Sequence, residues 1–62
     1  MNVKKFAFEL GQVVKIEDSG ETGKITGRAE YQNSENSYYL RYKAGDGRAV
    51  EAWWPESTLV AA

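Results

Sequence analysis

Apolar and polar positions alternate in four separate stretches of the chain, and no stretch repeats at the helical period. Gln12 to Glu17 places Val14 and Ile16 on one face and Val13, Lys15 and Glu17 on the other. Alternation carried by β-branched side chains is the pattern of a half-buried strand. Lys24 to Tyr31 sets Ile25, Gly27, Ala29 and Tyr31 against Lys24, Thr26, Arg28 and Glu30. Ser37 to Lys43 sets Tyr38, Leu40 and Tyr42 against Tyr39, Arg41 and Lys43. Arg48 to Trp54 sets Val50, Ala52 and Trp54 against Ala49, Glu51 and Trp53. A shorter alternation, Phe6, Phe8 and Leu10 around Ala7 and Glu9, comes first, and its phenylalanines are expected to cover one open end of the core.

The residues between these stretches are turn formers. Gly11 allows a bend, and Asp18 to Gly23 carries two glycines among polar residues. Gln32 to Asn36 is a polar connection, and the Asp46-Gly47 pair supplies the positive φ a hairpin needs. Pro55 has no N–H for a ladder and fixes its own φ, so the fourth strand is expected to end there. Glu56 to Thr58 then fits one 3₁₀ turn, and Leu59-Val60 a short last strand. Gly27 in mid-strand costs about 0.5–1 kcal/mol against alanine, so a bend or close backbone approach is expected at that point.

The pattern predicts an all-β domain over residues 1–62: a small barrel of about five antiparallel strands with a 3₁₀ turn before the last one. Met1 to Lys5 is expected to be loose. The expected core is Leu10, Val14, Ile16, Ile25, Ala29, Tyr31, Tyr38, Leu40, Tyr42, Val50, Ala52, Trp54 and Leu59. A domain of 62 residues buries only about 60% of the surface of its unfolded chain, which makes self-association a common remedy.

Composition narrows the chemistry. The chain has no cysteine and no histidine, which removes thiolate nucleophiles, disulfides, the usual general base and the ordinary zinc sites. No metal or cofactor is expected, and no second acid–base partner stands beside Glu51, so no catalytic residue is assigned. The net charge of −1 supplies no overall basic character for nucleic acid, although a local patch is compatible with it. With no long apolar run there is no membrane span, and a cytoplasmic protein is expected.

The candidate site follows from the adjacent tryptophans. Neighbouring residues of a strand point to opposite faces, so one indole fills the core and the other is left outside. Alternation sends Trp53 outward with Glu51. Tyr39, Arg41, Arg28 and Arg48 are grouped with them on one outer face. Interleaved arginines and aromatics suit single-stranded nucleic acid or an acidic peptide. The competing reading is a solvated face with cross-strand ion pairs to Glu30 and Glu51, each worth at most about 1 kcal/mol.

The runs Leu10-Gly11-x-x-Val14, Gly23-x-Ile25-x-Gly27, Tyr38-x-Leu40 and Val50-x-x-Trp53 resemble two groups with an SH3-like barrel. One is a set of short phage and prophage proteins, in which segments like Gly27 to Tyr31 and Asp46 to Trp54 recur. The other is the plasmid-borne type II dihydrofolate reductases, homotetramers around a central pore. In that family a Val-Gln-Ile-Tyr run on the fourth strand lines the pore and binds folate and nicotinamide. The matching run is Val50-Glu51-Ala52-Trp53, so a carboxylate replaces the glutamine and an indole the phenol. Symmetry-related Glu51 carboxylates in one pore repel each other and an anionic cofactor. The resemblance therefore implies an SH3-like binding module of phage type that takes a protein or nucleic acid. A reductase-like enzyme and a purely structural homo-oligomer are the alternatives.

Overall fold

The computed structural model describes residues 6–62, so the expectation for Met1 to Lys5 lies outside the described residues. Five strands form one antiparallel sheet: β1 Val13–Ile16, β2 Thr22–Ala29, β3 Ser37–Lys43, β4 Ala49–Pro55 and β5 Leu59–Ala61. A single 3₁₀ turn, Glu56–Thr58, separates β4 from β5. The sheet order is β4-β3-β2-β1-β5. The first four strands form a meander, and the last returns to the free edge of β1, where Ile16 pairs with Leu59 and Val14 with Ala61. The sheet is not closed, so the expected barrel is realised only loosely: β4 and β5 remain edge strands. Pro55 ends the exposed edge of β4, a residue that cannot donate to a ladder.

The turns reflect their residue chemistry. In the β3–β4 hairpin, Gly47 adopts φ of 88°, and its N–H donates to the Ala44 carbonyl at 2.8 Å. The Asp46 carboxylate accepts from the Arg48 backbone N–H at 3.1 Å and pairs with the Arg48 guanidinium at 2.8 Å. The 3₁₀ turn is held from the β2–β3 connection. Glu35 accepts from the Ser57 N–H at 2.6 Å and from its hydroxyl at 3.1 Å.

One face of the sheet carries the core of Val14, Ile16, Ile25, Tyr38, Leu40 and Leu59. Phe6, Phe8, Tyr42 and Trp54 pack against it, partly buried. Phe6 and Phe8 lie outside any strand and meet the Tyr38 ring edge-on, at centroid distances of 6.0 and 5.3 Å. The Tyr38 hydroxyl fixes this cover. It accepts from the Ala7 and Phe8 backbone N–H groups at 3.0 and 3.3 Å and donates to the Glu56 carboxylate. Val50 and Ala52 are half-buried on the same side, as expected of the fourth strand.

Three expected core residues are placed elsewhere. Leu10 is 57% exposed, because the chain turns at Leu10-Gly11 before β1 begins. Tyr31 is 45% exposed, because β2 ends at Ala29. Ala29 is turned to the other face by a β-bulge. Ile25 pairs with Leu40 and Gly27 with Tyr39, which leaves Thr26 as an extra residue. One inserted residue exchanges the faces of every later residue in the strand.

Gly23 marks the tightest approach in the sheet. A Cβ there would lie 3.0 Å from the Tyr42 Cβ and 3.2 Å from the Arg41 carbonyl oxygen, neither of which moves without disturbing the β2–β3 ladder. Gly23→Ala is therefore expected to lose about 1–3 kcal/mol in urea denaturation. Gly45→Ala, where nothing lies within 4 Å of the new methyl, should leave the midpoint unchanged. Equal midpoints for the two variants would contradict the packing at Gly23.

Candidate functional site

The face opposite the core is built by cross-strand register. Tyr39 pairs with Gly27 on β2 and Trp53 on β4. In the next row, Arg41 pairs with Lys24 and Glu51, and Lys24 with Val13. Beyond it Lys43 pairs with Ala49, while Lys15 lies between Thr22 and Val60. Rows on one face are two residues apart, roughly 6.7 Å along the strand.

Trp53 is 52% exposed and stacks at a tilt on Tyr39, with centroids 5.0 Å apart and planes at 46°. The indole lies over the glycine that follows the bulge. Its Cη2 lies 3.8 Å from where a Gly27 Cβ would sit, and that Cβ would come within 3.2 Å of the Tyr39 Cβ. A Cβ at residue 27 would press on the Tyr39 Cβ, which would have to shift slightly, and would meet the indole at ordinary contact distance. Trp54 turns to the core side and meets Tyr42 edge-on at 6.2 Å. The outward and inward assignments of the two tryptophans therefore agree with the alternation.

Beside the aromatic pair the face is concave. A cleft of about 510 Å³ is lined by Val13, Glu21, Thr22, Gly23, Lys24, Arg41, Tyr42, Lys43 and Ala49. Glu21 stands at its rim and accepts from the Ser19 hydroxyl at 3.2 Å. Among the described residues, Lys15, Lys24, Arg41 and Lys43 form no ion pair. Glu51 stands opposite Arg41 in register but is not in ion-pair contact with it. The expected cross-strand pairs to Glu30 and Glu51 are thus absent among the described residues. Elsewhere acidic residues sit in turns and connections: Glu17 and Asp18 after β1, Glu30 after β2, Glu35 against the 3₁₀ turn, and Asp46 in the hairpin. A chain of net charge −1 thereby presents one predominantly basic sheet face.

The structure brings Trp53, Tyr39, Glu51 and Arg41 together and separates Arg28 and Arg48 from them. The bulge sends Arg28 to the core side, paired with Tyr38. Its guanidinium sits 4.4 Å above the Phe6 ring, and it donates to the Phe8 carbonyl at 3.4 Å. Arg28 thus clamps the N-terminal cover of the core. Arg48 precedes β4 and is tied to Asp46 in the hairpin turn. Lys24 and Lys43 join the face instead; their place in the polar phase of β2 and β3 was the sequence signal for them.

Among the described residues no three acidic side chains gather into a group able to hold a metal ion, and no helix is long and apolar enough to cross a membrane. No protein-family model, no curated protein and no solved structure matches the chain.

Proposed function

We propose that the chain is a non-catalytic binding module, of the SH3-like phage type its sequence resembles, and that its partner docks on the outer face of β2, β3 and β4. One observation carries this reading: an indole more than half exposed, held in place by Tyr39 and Gly27, on a face whose cations are unpaired among the described residues. Holding a large aromatic out in water has a hydration cost, and such positions are enriched in contact anchors. Glu51 on this face has no histidine or second carboxylate across the ladder from it, so binding rather than turnover is the reading we adopt.

Photo-crosslinking inside cells tests the face. A photoreactive residue in place of Lys43 is expected to give a discrete adduct that disappears when Trp53→Ala is added. The same residue in place of Asp18, in the β1–β2 turn, should give none. Identical adduct patterns from both positions, or no adduct from either, would remove the outer face as the docking surface. An adduct between two copies of this chain would instead support the structural homo-oligomer.

A further inference from the structure

We infer that the partner is a single-stranded nucleic acid, with a base stacked on Trp53 and Tyr39 and the adjoining phosphates over Lys24, Arg41 and Lys43; this rests on the outer face being the docking surface. Three features of the face select this ligand. The first is the order of its rows. Aromatic rings occupy the Tyr39–Trp53 row, and cations occupy the Lys24–Arg41 row beside it and the Lys43 position beyond. A single strand has the same composition, flat bases alternating along one chain with anionic phosphates, and proteins bind it by stacking beside a positive groove.

The second feature is the charge. Lys24, Arg41 and Lys43 line the cleft, and Lys15 lies on the same side of the sheet. Their donors are not engaged by neighbouring carboxylates among the described residues, so a phosphate does not have to displace an internal partner. An acidic peptide would satisfy those cations too, but it has no ring to place on the exposed indole in every register. The third feature is shape. The cleft is open, about 510 Å³, and continuous with the sheet surface, which admits an extended strand. A regular duplex keeps its bases stacked inside and offers no free π-face to Trp53.

The face also carries opposing charge: Glu21 lines the cleft, and Glu51 stands opposite Arg41 in register. Glu51 sits between the Trp53 and Ala49 rows, opposite Arg41, where a phosphate passing from the stacked base to the cleft meets it. It weakens binding and sets an upper bound on affinity for the polyanion. Removing its charge is expected to tighten the complex, whereas a basic partner in contact with Glu51 would be bound more weakly after the same change.

The experiment is an anisotropy titration of the full chain with a labelled oligothymidylate of roughly 12 nucleotides, within the span such small folds cover. Oligouridylate, the matching duplex and polyglutamate are run in parallel, and the preference between the two single strands distinguishes a DNA from an RNA partner. Single strands are expected to bind more tightly than the duplex, and polyglutamate not to compete. Three phosphate contacts give log affinity a slope of about −2 against log salt, and each of Lys24→Ala, Arg41→Ala and Lys43→Ala should reduce it by about 0.7. Trp53→Ala should weaken binding between about fivefold and about a hundredfold, with Trp53→Phe recovering most of the loss. Glu51→Gln should strengthen it. Circular dichroism melts of each variant separate these effects from unfolding. Absence of single-strand binding at low salt, equal competition by polyglutamate, or a folded Trp53→Ala variant with unchanged affinity would overturn the inference. A protein adduct in the crosslinking experiment would also overturn it while leaving the outer face as the docking surface.

Discussion

Tyr38→Ala is expected to remove most of the stability of the domain. Domains hold roughly 0.05–0.15 kcal/mol of stability per residue, which gives this one about 3–9 kcal/mol. Removing a fully buried aromatic ring typically costs about 3–5 kcal/mol. Tyr38 has no exposed surface and supports both Phe6 and Phe8. Its hydroxyl also joins the segment before β1 to Glu56 after β4, linking parts of the chain far apart in sequence. Loss of the ring therefore removes the cover of the core along with its centre. Far-ultraviolet circular dichroism of the purified variant checks this; a cooperative melt near that of the parent protein would show that Tyr38 is not the centre of the core.

Tyr38→Phe separates the ring from the hydroxyl. It keeps the packing but leaves the Phe8 N–H without this acceptor and removes the hydroxyl's bond to Glu56, at a cost of about 1–3 kcal/mol. The substitution also changes the response to alkali. Burial pushes the Tyr38 phenol above its ordinary value, and the hydrogen bond to Glu56 and that carboxylate's charge add to the rise; the N–H groups of Phe8 and Ala7 act in the opposite direction. The folded chain therefore keeps this proton when the unfolded chain gives it up. The contribution is fully present below the ordinary phenol range, about pH 10, and is lost as pH rises toward the raised value. Urea midpoints should fall above about pH 10 in the parent protein, and fall less in Tyr38→Phe.

The second large effect distinguishes the two tryptophans. Trp54→Ala is expected to cost about 3 kcal/mol, at the lower end of the range for buried aromatics, because the indole is only partly covered. It faces Tyr42 and lies in register with Tyr38, so its removal opens the core next to the most buried ring. Trp54→Phe should be far milder. The indole Nε1 is buried without an acceptor among the described residues, and phenylalanine removes that donor while keeping much of the volume. Trp53→Ala loses the stacking on Tyr39 and the cover over Gly27, about 0.5–1.5 kcal/mol, and little else. Denaturant melts of the three variants should rank Trp54→Ala as least stable. A Trp53→Ala variant less stable than Trp54→Ala would reverse the two faces and remove the proposed site.

The fourth strand shows how far local chemistry reaches. Adjacent residues of a strand point to opposite faces by covalent geometry alone, so Trp53 outside and Trp54 inside could be read before any pairing was known. The same holds for Asp46-Gly47 at the hairpin, for the strand that ends with Pro55, and for the 3₁₀ turn at Glu56–Thr58. Each of these depends on residues within a few positions of one another.

The second strand shows where such reading stops. Lys24 to Ala29 alternates as a regular strand would, but the pairing with β3 slips by one residue at Thr26. Gly27 marks the place in the sequence as a bend or close approach, but not the exchange of faces, because Gly27 and Ala29 are small enough for either face. It is decided by pairing with the partner strand, where Tyr39 packs closely on the bare backbone of Gly27. Arg28 consequently sits over Phe6 rather than beside Trp53.

The charge pattern divides in the same way. The sequence by itself determined an all-β chain with one tryptophan outward and a net charge near zero. Tertiary structure alone decided that Lys15, Lys24, Arg41 and Lys43 share a face while acidic side chains gather in the turns and against the 3₁₀ turn. Alternation assigns each side chain to a side of its own strand. Only register and strand order, which depend on contacts between distant residues, set those sides next to one another.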